Sequence, residues 1–407
     1  MASVIIATHN RCELLEFTLL SLYRQSVLPG EYEVIVVDDG STDKTRALLA
    51  TIKPPYRLRY FSNDTCRGAA YARNRGLKAS RGEVIIFLDE MLVERDYIRK
   101  HLQYQTKPWR AVTTTFNALD IYTHCYPHFP YAQRLECKKL GEKLGLKHFQ
   151  LTGKKVVRLF RAEQILNHSA LSYGRKIDGL NSTFKNLQAA YGEHLERMAA
   201  PWFLLVTNSV SMTRDMLEKT GGFDERFKGG WLEDFELGYR LYQQGATFIN
   251  ADDISCYHQV HPVNPDWTPR LENYLYFCSK HPVAEVFLLA GMHYPFFRWN
   301  LFGWGKIVTQ YYEIKALEKG RYKEWVEAFY QLSSDLCWNV AEFLKGSRLP
   351  WNTEKTGFNR WPIKLQKKIK QQLESLKDDA QGERYKELVD AFKWLICLPY
   401  KKLTFPL

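Results

Sequence analysis

Over its first hundred residues the chain alternates short β-branched apolar runs with stretches of helical period, and that alternation leaves few folds open. Val4–Ile6, Tyr32–Val37, Leu58–Phe61 and Val84–Leu88 read as strands, while Cys12–Gln25, a segment from Lys44, and Gly68–Ala79 read as helices. Repetition of this kind predicts a parallel, doubly wound sheet with buried central strands. Ser41 and Thr42, just ahead of Asp43-Lys44, are placed to cap the second helix. Ligands of such sheets gather beyond the carboxyl ends of the strands. Two of these ends are acidic: Val37 runs into Asp38-Asp39-Gly40-Ser41, and Leu88 runs into Asp89-Glu90.

Adjacent carboxylates at a buried strand end are unfavourable unless a positive partner meets them. A hard divalent cation carrying a diphosphate, magnesium or manganese, meets that need. Two solvated acids are the other reading. Asp39 has the chemistry to accept a hydrogen bond from an imide N–H such as that of uracil, with Gly40-Ser41 letting a ring approach the backbone. A local turn is the alternative there.

At 407 residues the chain exceeds one ordinary core, so two domains are expected. We place a first domain at 1–265, with a basic helical insertion at about 130–200, and a helical, aromatic and basic region at 266–407. A formal charge of +12 points to anionic partners such as nucleotide diphosphates, acidic lipids or anionic polymers. Nucleic acid is not expected, because no module for it is recognisable. The eight cysteines have no CxxC and no paired spacing, which reads as free thiols in a reducing compartment.

No basic leader precedes the first strand and no apolar run reaches spanning length, so a cytoplasmic protein is expected, with the inner face of the membrane as its outer limit. Phe296, Phe297, Trp299, Phe302 and Trp304, interleaved with Arg298 and Lys306, read either as a peripheral membrane surface or as a buried docking segment. Arg321-Tyr-Lys-Glu-Trp-Val-Glu-Ala-Phe329 recurs as Arg384-Tyr-Lys-Glu-Leu-Val-Asp-Ala-Phe392. We read the two copies as similar amphipathic helices, suited to packing or to a homo-oligomer.

The order S-V-I-I-A-T-H-N-R, V-I-V-V-D-D-G-S-T-D, G-A-A-Y-A-R-N-R-G and F-L-D-E-M resembles the inverting glycosyltransferases of family 2, which have a GT-A fold, a Rossmann-like mixed sheet. The resemblance continues at Thr207–Ser211, Gly221–Phe227 and Gly230–Leu241, and covers about residues 2 to 262. From Gly221 through His258-Gln259 it is nearest the branch of galactosyl- and N-acetylgalactosaminyl-transferases and chondroitin-type polymerases.

The resemblance implies that Thr8, Asn10, Arg11, Asp39, Arg73 and Asp89 hold a UDP-sugar donor. An arginine pairing with a strand-end carboxylate is the competing reading of Arg73. The family pattern also implies Asp234, beside Glu233, as general base, with Gly230 and Trp231 as the acceptor platform. Asp89, Glu90 and His258 would hold manganese or magnesium. One residue is missing before Met91 relative to that pattern, so Glu90 takes the place of the second aspartate. The expected activity is transfer of a hexose or N-acetylhexosamine to a hydroxyl of a glycan, lipid-linked or protein acceptor. A GT-A-fold scaffold or sugar-binding subunit is the alternative.

Overall fold

A computed structural model describes every residue except 115–116, 147–154, 178–179, 264–265, 294–299, 318–319, 345–357, 379–383 and 398–407. Phe296, Phe297, Arg298 and Trp299 therefore lie outside the described residues. Two compact units emerge, one of Met1–Ser182 with Trp202–Asp266, the other of Thr183–Pro201 with Trp267–Leu407. Thr183–Pro201, read from sequence as part of the insertion, packs in the second unit.

The strands of the first unit are β1 (Ala2–Thr8), β2 (Tyr32–Asp38), β3 (Arg57–Ser62), β4 (Val84–Leu88), β5 (Met91–Val93), β6 (Arg110–Thr113), β7 (Leu119–Ile121), β8 (His124–Cys125), β9 (Val157–Arg158), β10 (Arg175–Lys176), β11 (Ser209–Thr213), β12 (Thr247–Asn250) and β13 (Cys256–Gln259). Seven of them form a sheet in the order β12-β6-β11-β4-β1-β2-β3. The run β4, β1, β2, β3 is parallel, and β11 enters antiparallel between β4 and β6, so the sheet is mixed.

Alternate residues of the central strands serve opposite faces, because side chains of a strand alternate. Val4, Ile6, Val34, Val36 and Ile86 join Leu15, Leu19 and Leu22 in one core cluster, while Ile35 and Val37 meet Ala72 of helix Ala69–Ala79 in another. Full burial on both faces explains why these strands read as unbroken apolar runs. A second sheet, β10-β7-β13-β5, sits beyond the end of β4, since only Asp89 and Glu90 separate β4 from β5.

The two copies of the Arg-Tyr-Lys-Glu motif begin helices Lys323–Leu344 and Lys386–Cys397 of the second unit. Their ends are closed reciprocally. Gln310, on helix Leu301–Ala316, accepts from the Leu388 N–H at 2.9 Å and donates to the Glu387 carboxylate; Gln372, on helix Ile363–Asp378, accepts from the Trp325 N–H at 2.8 Å and donates to the Glu324 carboxylate. Lys306 pairs with Glu387 as Lys368 pairs with Glu324. Each copy thus has one of its orphan helix-start N–H groups satisfied by the helix that precedes the other copy. The motif aromatics meet between them, Trp325 lying 5.1 Å from Phe392. Among the described residues no helix is long and apolar enough to cross a membrane.

Candidate active site

The chain builds β1, β2 and β3 outward in one direction and then places β4 on the other side of β1. At such a switch the connections leave in opposite directions and a crevice opens at the carboxyl ends of the two strands. Thr8, Asn10, Arg11, Asp39, Asp89 and Glu90 all follow from these strand ends.

Parallel pairing sets Thr8 against Asp38, so the loops after β1 and β2 meet. Asn10, in the left-handed region at φ 52°, accepts at Oδ1 from the Thr42 N–H at 2.8 Å, and its own N–H donates to Ser41 Oγ. Ser41 and Thr42 are thereby occupied and do not cap helix Thr45–Thr51, contrary to expectation; Asp43 accepts from the Thr45 N–H instead. Arg11 directly precedes helix Cys12–Ser21, and its charge acts on Glu90.

The buried Asp39 carboxylate is an anchor. It accepts from Asn63 Nδ2 at 2.6 Å, from the Gly68 N–H at 2.7 Å, from the Arg67 N–H and from the Cys66 thiol. The turn it holds presses on Gly40, where φ is +75° and an added Cβ would fall 2.6 Å from the Cys66 nitrogen. Only glycine fits there. Gly68 starts helix Ala69–Ala79, whose first N–H donates to the Gly229 carbonyl at 2.9 Å. One relay, from the Asp39 carboxylate through Gly68 and the Ala69 N–H to the Gly229 carbonyl, therefore ties the end of β2 to the loop that carries Gly230 and Trp231.

Arg73, on that helix, is buried between two acids. Its guanidinium donates to Glu233 Oε1 at 2.6 Å and to Asp89 Oδ1 at 3.0 Å. The strand-end pairing is thus realised, with Glu233 as a second partner that lies far away in sequence. Both charges raise the Arg73 pKa further, so it is held as a cation. The other Glu233 oxygen, Oε2, is buried and has no hydrogen-bond partner among the described atoms.

Glu233 and Asp234 open helix Glu233–Gln243. The preceding Leu232 is left-handed at φ 68°, a conformation that is unfavourable by about 1–2 kcal/mol for a residue with a Cβ, yet its side chain is buried. Asp234 accepts from the Phe235 N–H at 2.8 Å and from the Thr207 N–H at 3.4 Å. Burial, and then the Glu233 charge, push its pKa from 3.8 up to about 7, against the opposing pull of Arg73. Thr207 and Asn208 lead into β11, and the Asn208 carbonyl accepts from the Asp89 N–H at 3.1 Å. Trp231 is half-buried, and Gly230 is exposed.

Glu90 accepts from Thr8 Oγ1 at 2.7 Å, and burial together with the neighbouring Asp89 charge raises its pKa. His258 on β13 lies in register with Met91 of β5, one residue beyond Glu90, and with Asp120 of β7. Its Nδ1 is 2.9 Å from Asp120 Oδ1. Among the described residues no three His, Cys, Asp or Glu side chains are preassembled around one metal position. His261, the neighbouring ring at 5.4 Å, has its pKa lowered to about 4 by burial. His9 bonds the Asp39 carbonyl, and His124 is buried against Phe17. Sequence reading passed over Asp120; its signal was an acid at the centre of a short apolar strand.

A mixed sheet with acidic strand ends around its switch point, and a second acid pair facing them through one arginine, defines a GT-A glycosyltransferase. Residues 3–155 match the model of glycosyl transferase family 2. The uncharacterized glycosyltransferase YfnE of Bacillus subtilis is 32% identical over 283 residues, which are 69% of this chain and 70% of that protein. The chain belongs to family 2, and it is an enzyme, a glycosyltransferase. It is also similar to the chondroitin synthase of Escherichia coli, 25% identical over 66% of this chain but only 36% of that longer protein. Among solved structures, a mannosyltransferase of Pyrobaculum calidifontis in complex with GDP-Man and Mn2+ aligns over 98% of this chain and 86% of its own, at 16% identity and a TM-score of 0.43.

Proposed function

We propose that this glycosyltransferase moves a hexose or N-acetylhexosamine from a UDP-sugar, with inversion and with a divalent cation, to a hydroxyl of a glycan, lipid-linked or protein acceptor. The observation that carries this reading is the Arg73 bridge, which holds Glu233, the neighbour of Asp234, against Asp89 at the end of β4, while burial and the Glu233 charge raise the Asp234 pKa to about 7. A base is most useful when its pKa lies near the working pH. In the reaction Asp234 takes the acceptor hydroxyl proton, the oxygen bonds to the anomeric carbon, and the bond from that carbon to the diphosphate breaks on the opposite face. UDP leaves with the electron pair. Arg73 keeps Asp89 and Glu233 in place and holds positive charge beside the developing anion.

The donor set suits a hard cation in kind: Asp89 and the raised Glu90 are adjacent acids whose repulsion a cation would relieve, and His258 lies one strand away. Those three residues would hold the ion, which supplies charge neutralisation of the diphosphate. Thr8, Asn10, Arg11 and Asp39 shape the uridine end, and Gly230 with Trp231 offers the acceptor platform. The first unit, Met1–Ser182 with Trp202–Asp266, forms the catalytic domain in this reading.

The test is a panel of UDP- and GDP-hexoses incubated with the protein and manganese, with hydrolysis or transfer as the readout. Turnover of at least one UDP-sugar is expected, abolished by chelation and reduced on the order of 100-fold or more in Asp234→Asn. Undiminished turnover in that variant would remove Asp234 as the base.

A further inference from the structure

His258 occupies one row of the second sheet with Asp120 on β7 to one side and Met91 on β5 to the other. Residues directly opposite one another project from the same face, so the register alone brings the Asp120 carboxylate to the imidazole. Asp120 has a second neighbour in its row, Arg175 of β10, which would be the stronger electrostatic partner. That guanidinium is instead engaged by Glu136 at 2.9 Å and lies over the Tyr122 ring. The carboxylate turns to His258, with Nδ1 to Oδ1 at 2.9 Å. Aspartate is a poor strand former, and here it sits at the centre of a three-residue strand paired on both sides.

A carboxylate oxygen accepts, so in this contact Nδ1 carries the hydrogen, and the neutral ring keeps its lone pair on Nε2. A carboxylate behind an imidazole is the arrangement that fixes tautomer and ring orientation in metal sites. We propose that Asp120 is a positioning residue that holds His258 as the Nδ1–H tautomer, with Nε2 presented as a metal donor. This rests on the reading of His258 as a ligand given above. Asp120 itself touches neither donor nor acceptor in this scheme. The Met91 side of the row offers no competing hydrogen bond of comparable strength, since a thioether is only a weak acceptor.

The test uses full-length protein saturated with UDP, without sugar, and reads manganese affinity by the paramagnetic signal of free ion. Asp120→Ala should bind manganese roughly 10- to 100-fold more weakly. Asp120→Asn, whose amide oxygen still accepts from Nδ1–H, should recover most of the affinity. Long-range nitrogen–proton NMR of metal-free protein should find His258 with Nε2 unprotonated in the wild type and shifted toward Nε2–H in Asp120→Ala. A mere strut between strands would lower the thermal midpoint and leave both readouts of the folded protein unmoved. That result would overturn the proposal while His258→Ala still lost affinity. Wild-type manganese affinity in His258→Ala would overturn the ligand reading and this proposal together.

Discussion

Burial, and then the adjacent Glu233 charge, raise the Asp234 pKa to about 7, and Arg73 only partly compensates. Two consequences follow at the residue scale. The rate at low substrate should rise as Asp234 ionises, giving an ascending limb near pH 7, measurable as kcat/KM against pH. Glu233→Gln removes the second-largest cause of the raised pKa, so the limb should move to lower pH even where the rate falls. The sign for stability is opposite. Between about 3.8 and 7 the folded state binds this proton more tightly than the unfolded chain does, so its contribution declines as pH rises through that window. Asp234→Asn stays neutral, and its thermal midpoint should gain on the wild type more at pH 8 than at pH 5.

Local elements deliver these groups through a few constrained backbone positions. Leu232 sits left-handed before helix Glu233–Gln243, and its buried side chain, worth about 1.5–3 kcal/mol, outweighs strain of about 1–2 kcal/mol. Leu232→Gly should therefore destabilise the fold by roughly 1 kcal/mol rather than relieve it, and lower kcat more than it raises KM, as read by thermal melts and steady-state kinetics. Gly40→Ala is a sharper case, because the new Cβ meets backbone and not a flexible side chain. Overpacking of that kind is unfavourable by about 1–3 kcal/mol, and UDP affinity should fall with it because the strained turn is the one Asp39 anchors. The strands, the helix after Gly68 and the acids at their ends were legible in sequence, since apolar runs and glycine turns are local signals. The fate of Ser41 and Thr42 was not, because their partner Asn10 lies on another strand's loop.

At the scale of the molecule, each unit has its own core. In the second unit Gln310 and Gln372 each satisfy a buried or partly buried helix start, so replacing either by Ala should cost about 1–3 kcal/mol, seen as a lowered calorimetric transition, with UDP binding unchanged. The basic charge of the chain also predicts sedimentation with anionic vesicles at low salt and release as salt is raised; no sedimentation at low salt would end the proposal of peripheral membrane association. Self-association through the C-terminal helices remains a proposal that equilibrium ultracentrifugation tests directly. The internal motif repeat was visible in the sequence as similarity. That each copy is closed by the helix preceding the other was visible only once the four helices were folded together.

The sequence by itself determined the alternation of strands and helices, the acidic strand ends, the repeated helix motif and membership of the family, all of which rest on short-range pattern and residue identity. Tertiary structure decided what those acids meet. Arg73 and Glu233 are 160 residues apart in the chain, and Asp120 and His258 are 138 apart. Charge balance, desolvation and ring orientation at the site come from such pairs, because a pKa depends on what stands within a few ångströms, and the fold brings that neighbourhood together from distant segments.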